Sequence, residues 1–158
     1  MKYIAIFNAL LAGRVQEGIS IFRIVTAFLF IQHGAQKLFA FPIPPRGGEL
    51  AQFPSLDWLA GSMEFWLGVL FLLGIFTQPL AFLFCGLTAV AYFMVHAPRG
   101  FWPLANGGDL AVLFCFSFLF FATAGGGSWS VDRYLPINRS TPETRLKSSR
   151  RREGKGNA

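Results

Sequence analysis

The chain is short of charge and of cysteine. Only 14% of its 158 residues are charged, against about 25% in an ordinary soluble protein. With 53% hydrophobic residues and nineteen Phe, that shortage excludes a disordered chain and argues against an ordinary soluble domain. There are two cysteines, Cys85 and Cys115, and no Cys-x-x-Cys, so neither a thioredoxin-like motif nor a zinc site is expected. A P-loop, a dinucleotide fingerprint after a strand and a Gly-x-Ser-x-Gly elbow are all missing. Two histidines on different segments are a thin basis for haem. The net charge of +6 does not describe a nucleic-acid face. Eight basic residues against three acids lie in Asp132–Ala158, leaving +1 for everything before it.

What the chain does have is four long apolar runs. They are Ile19–Phe41, Trp58–Phe76, Pro79–His96 and Asp109–Ala124, each of 16–23 residues. About 20 apolar residues cross a ~30 Å hydrocarbon core as a helix. Leu110–Ala124 is interrupted only by Ser117 and Thr123, so it lacks the polar face of a soluble helix. Backbone groups in lipid must be satisfied within the segment, which selects helices. The expected fold is an all-α, polytopic bundle of four transmembrane helices in a lipid bilayer. Ile75–Gln78 is too short for anything but a tight turn, and Pro79 can open the third helix.

Basic residues near the helix ends set orientation. The two longer connections, near 42–57 and 97–108, carry one each, Arg46 and Arg99, while the C-terminal stretch carries eight. Both termini are therefore expected in the cytoplasm, with the longer connections outside. Residues 1–18 form an expected interfacial segment, with Ile4, Phe7, Leu11 and Val15 on one face. A signal-peptide reading of Tyr3–Gly13 is the alternative, but cleavage would place the basic tail outside. Residues 19–134 form the membrane domain. Residues 135–158 form an expected disordered tail, either an anchor at the anionic inner leaflet or a dock for an acidic partner.

Ionisable residues inside a membrane usually face a bundle interior or a functional cavity. Here they are Arg23, His33, Lys37, Glu64, His96 and Asp109, with Asn106 just before the last. At about 100° per residue, Lys37 and His33 lie about 40° and 80° from Arg23, on one face with Gly34. Gly61, Glu64 and Gly68 fall within about 60° of one another, where glycines admit a close neighbouring helix. The orientation puts His33, Lys37, Glu64, His96 and Asp109 at one outer depth, so they are expected to converge. Arg23 lies about 21 Å lower, where it can snorkel or pair. His33, Lys37 and Glu64 are the candidate catalytic groups, and His96, Asn106 and Asp109 the candidate substrate-binding ones. Such a set can hydrogen-bond a quinone carbonyl and exchange protons, with Lys37 holding Glu64 charged. Structural alternatives stand beside each: a Lys37–Glu64 pair that only fixes the fold, Asp109 as a helix N-cap, and Asn106-Gly107-Gly108 as a turn. Counting from the helix ends separates Cys85 and Cys115 by about 9 Å in depth, so they are expected to be separate apolar thiols.

Arg23, the His33-Gly34-x-x-Lys37-Leu38 run, Glu64 with Gly68 and Gly74, His96, Asn106-Gly107-Gly108-Asp109-Leu110-Ala111 and Trp129-Ser130-x-Asp132 resemble, in that order, the DoxX family. The resemblance covers about residues 18–134. Asp109 departs from the Glu often found at that position in the family. The resemblance implies a four-helix bacterial inner-membrane protein, in a family named for its similarity to a thiosulfate:quinone oxidoreductase subunit. It implies two functions in different classes. One is a membrane subunit of a quinone-linked or thiol/sulfur-related oxidoreductase, with redox partner proteins and no resident cofactor beyond a quinone substrate. The other is a non-enzymatic assembly, chaperone or interaction protein, alone or as a homo-oligomer. No nucleic-acid partner is expected.

Overall fold

The computed structural model describes residues 13–45 and 47–135, with Tyr3 and Leu11. The expected face of Ile4 and Phe7 and the tail from 136 onward lie outside the described residues. Among the described residues there are helices, turns and no strand. Helix α1 runs Val15–Phe39, α2 Leu56–Leu73 and α3 Thr77–Arg99, and all three are long and apolar enough to cross a membrane. A one-turn α4, Pro103–Asn106, precedes α5, Asp109–Ala124. The sixteen residues of α5 are apolar but span only about 24 Å.

The boundaries differ from expectation at two places. Helix α1 starts at Val15, inside the segment expected to lie in the interface plane. Helix α3 starts at Thr77 rather than Pro79 because the Asp132 carboxylate accepts from the Phe76 and Thr77 amides, both at 2.7 Å. Pro79 then falls in the first turn, where an amide hydrogen would have no intrahelical acceptor.

Other helix ends have local causes. The Ser55 hydroxyl accepts from the Trp58 amide at 3.1 Å and opens α2. Gly74, at φ 73°, closes it, and a Cβ there would lie 2.5 Å from Ser130 Oγ. Only glycine serves both the left-handed turn and that contact.

The helices pack antiparallel in sequence order. Lys37 meets Gly61 and Arg23 meets Phe71 across α1 and α2. Gln78 meets Ala122, and Tyr92 meets Asn106, across α3 and the α4–α5 segment. Lipid gives no hydrophobic drive between helices, so packing and internal polar bonds must hold them. The packing is aromatic. Phe30, Phe71, Phe84, Phe114, Phe118 and Phe121 form one buried cluster drawn from all four long helices. Phe30–Phe118 centroids are 4.8 Å apart at 70°, and Phe71–Phe118 5.4 Å at 73°. Such edge-to-face pairs contribute about 0.5–1.5 kcal/mol each beyond burial.

Candidate functional site

Lys37 and Glu64 close the α1–α2 seam. Lys37 Nζ donates to Glu64 Oε1 at 2.6 Å and to Oε2 at 2.7 Å, with the Glu64 side chain only 10% exposed. The helices come this close because the seam is lined with glycine. A Cβ on Gly34 would lie 2.6 Å from both the Gly61 carbonyl oxygen and the Phe65 nitrogen. Cβ atoms on Gly61 and Gly68 would crowd Lys37 Cβ at 3.0 Å and Ile31 Cγ1 at 2.8 Å. Glu64 sits in a π turn, Met63–Leu67, where α2 widens by one residue. Turns of this kind recur at functional sites because they re-aim a side chain within a helix.

A recess of about 340 Å³ opens at the same end of the bundle, lined by Leu38, Phe39, Gln52, Trp58, Ser62 and Trp66. Neither Lys37 nor Glu64 lines it, although Leu38 follows Lys37 and Ser62 precedes Glu64 by two residues. Trp58, Ser62 and Trp66 are spaced by four and share a face of α2. That spacing could have found the recess from sequence, and Trp66 was missed.

The contacts join only parts of the expected five: Lys37 bonds Glu64, and His96 lies against the Asn106 carbonyl. His33 turns its ring edge-on to Phe114 of α5, with centroids 5.7 Å apart. His96 belongs to a separate group around a second π turn, Tyr92–His96, where its Nδ1 lies 3.3 Å from the Asn106 carbonyl. Asn106 is buried and its amide is fully engaged. Oδ1 accepts from the Gly108 amide at 2.8 Å, and Nδ2 donates to the Gly100 carbonyl at 2.8 Å and Tyr92 Oη at 3.3 Å. Asp109 is exposed, and Gly108, not Asp109, is the N-cap of α5. Among the described residues no hydrogen bond or ion pair joins this group to Lys37 or Glu64.

Arg23 neither snorkels nor finds a carboxylate. It is 1% exposed. Nε donates to the Gly126 carbonyl at 2.9 Å, Nη1 to Phe71 at 2.7 Å and also to Leu72, and Nη2 to Trp129 at 3.1 Å. It therefore closes the C-terminal end of α2 and holds the loop after α5. Ser130 and Asp132 complete this knot by bonding Gly74 and the start of α3. Their partners lie about fifty-five positions away, and no local signal announces them. A polar recess of about 620 Å³ lies at this end, beside Glu17, Gly126, Ser128, Asp132 and Arg133.

Cys85 and Cys115 are not separated in depth. Their sulfurs are 3.6 Å apart. Counted from the paired ends, Cys85 lies eight residues after Thr77 and Cys115 nine before Ala124. Those counts are about 12 Å and about 14 Å of helix, essentially level.

Comparison with known proteins gives three results. The DoxX family profile matches residues 18–97. A protein of Haemophilus influenzae, described as uncharacterized, is 42% identical over 113 residues, 70% of this chain and 84% of the relative. No solved structure matches.

Proposed function

Because the chain belongs to the DoxX family, we propose that it is a four-crossing inner-membrane subunit of a quinone-linked oxidoreductase complex. Partner proteins supply the electrons. The carrying observation is the buried Lys37–Glu64 pair at the end of the bundle where an aromatic recess of about 340 Å³ opens. A quinone head group needs a donor at a carbonyl oxygen, a proton acceptor nearby and an apolar, aromatic wall. Lys37 offers the donor and Glu64 the proton acceptor. Trp58 and Trp66 offer ring faces and edges against which a flat head group stacks. The recess lies at the Phe39 end of α1, which the charge distribution puts on the outer side.

One observation favours the second reading, an assembly or interaction protein. Both Glu64 oxygens are taken by one ammonium, so the pair satisfies itself and could serve the fold alone. The two readings part on a set of variants. Removing one partner of a buried pair costs about 3–5 kcal/mol, while an apolar replacement of both is often near neutral. The double variant Lys37→Met with Glu64→Leu should therefore insert at close to wild-type yield and lose at least tenfold in quinone-dependent electron transfer. Activity retained in that double variant, measured in native membranes, overturns the oxidoreductase reading. It would favour the interaction reading, in which deletion of 138–158 is the damaging change.

A further inference from the structure

Cys85 on α3 and Cys115 on α5 are both free and both half-buried. A sulfur–sulfur separation of 3.6 Å is van der Waals contact, and Cys115 Sγ also lies 3.6 Å from the Cys85 carbonyl oxygen. The two thiols face each other across the α3–α5 pair. That pair is tied at one end by Gln78 to Ala122 at 3.2 Å and at the other by Asn106 to Tyr92 at 3.3 Å. The sulfurs stay together as long as the α3–α5 pairing holds. No other polar side chain bonds either sulfur among the described residues, and these residues hold no group of His, Cys, Asp and Glu fit for a metal.

Access to the pair is from the lipid side. A Cβ added to Gly86, next to Cys85, would meet nothing within 4 Å. Phe82 and Phe116, beside the two cysteines in sequence, are 73% and 63% exposed on apolar helix surface. An oxidant that reaches these sulfurs is therefore one that dissolves in the membrane.

We propose that Cys85 and Cys115 are a redox-active dithiol that closes to an intrachain disulfide by reducing a membrane quinone. Both S–H bonds break and one S–S bond forms. The two electrons and two protons pass to the carbonyl oxygens of the quinone, which leaves as quinol. The sulfurs must draw together by about 1.5 Å to reach the ~2.05 Å disulfide bond. The choice of oxidant rests on the quinone-linked reading above, whereas the pairing of the thiols does not.

The test uses the full chain, prereduced and reconstituted in lipid vesicles. A fully ring-substituted quinone is added, because it cannot be arylated by thiols. Remaining thiols are then trapped with maleimide and the intact chain is weighed. The wild type should lose both reactive thiols, release one quinol per chain and regain both thiols with dithiothreitol. Cys85→Ser and Cys115→Ser should each keep one reactive thiol and form no quinol. The double variant Lys37→Met with Glu64→Leu, which keeps no unpaired charge, should close like the wild type, so a failed ion-pair site shows in that variant's electron transfer and leaves the thiol readout intact. Thiols that stay reactive in the presence of quinone overturn the proposal, even if diamide closes them. So does a disulfide that links two chains, or a closure that is lost in the Lys37→Met, Glu64→Leu double variant.

Discussion

Arg23 carries a full charge into the bundle and meets carbonyl oxygens instead of a carboxylate. The choice of residue follows from geometry. Guanidinium presents five donors in a planar fork, so one side chain can serve two carbonyls at the end of α2 and two in the loop at 126–129. A lysine ammonium is a point with three donors and cannot span both groups. Each buried carbonyl left unpaired costs about 1–3 kcal/mol. Arg23→Met strands three of them, since the Phe71 oxygen still accepts from the Gly74 amide at 3.0 Å, and should give no folded protein. Arg23→Lys should fold and melt earlier, by fluorescence-detected gel filtration after heating in detergent. A lysine variant as heat-stable as the wild type would show that the carbonyls find other partners and that Arg23 is not the closure described here.

Among the elements, the α1–α2 seam depends on close backbone approach, which makes its glycines unequal. A methyl at Gly34 meets two backbone atoms at 2.6 Å, which cannot yield without moving a helix. At Gly68 it meets only the Ile31 side chain, and at Gly86 nothing. Overpacking costs about 1–3 kcal/mol, so Gly34→Ala should lower thermal stability most, Gly68→Ala less, and Gly86→Ala not at all. Equal stability for Gly34→Ala and Gly86→Ala would mean that the seam is looser than its geometry. This seam was also the part of the site most legible in the sequence. Lys37, Glu64 and the glycines share faces that an ordinary helical period reveals, and lipid leaves a buried charge few places to go. The rest failed for physical reasons. The π turns at Met63–Leu67 and Tyr92–His96 each fit an extra residue into their helix, so a face counted at about 100° per residue slips by about one position beyond them. Asp132 opens α3 from a segment that no helix-start signal connects to it. The two cysteines are level because α5 is only 16 residues long and α3 begins at Thr77, so that both lie a similar distance from the Thr77 and Ala124 ends.

For the whole molecule, the antiparallel packing gathers residues 13–17, the α2–α3 turn and residues 125–133 at one end. The Phe39–Ser55 connection and the α3–α5 connection are at the other. The eight basic residues of Asp132–Ala158 attach to the first end, while the second carries only Arg46 and Arg99. Positive charge near helix ends stays in the cytoplasm, so the first end is expected inside and the aromatic recess outside. One feature strains that arrangement: α5 spans about 24 Å and must cross a core of about 30 Å. Gly108 before it and Gly125 after it end the helix, so the flanking loops, rich in Trp and polar residues, must reach into the interface or the bilayer must thin locally. A single cysteine reports on both points. In a Cys85→Ser, Cys115→Ser background, Leu104→Cys at the 86% exposed position on α4 should react with an impermeant maleimide added to intact spheroplasts. Ser140→Cys should react only after the membrane is opened. The reverse pattern would invert the protein and place the Lys37–Glu64 pair and the aromatic recess on the cytoplasmic side. Reaction of both residues from outside would mean that α5 does not cross, since only a fourth crossing carries the chain from Leu104 back to the side of its basic tail.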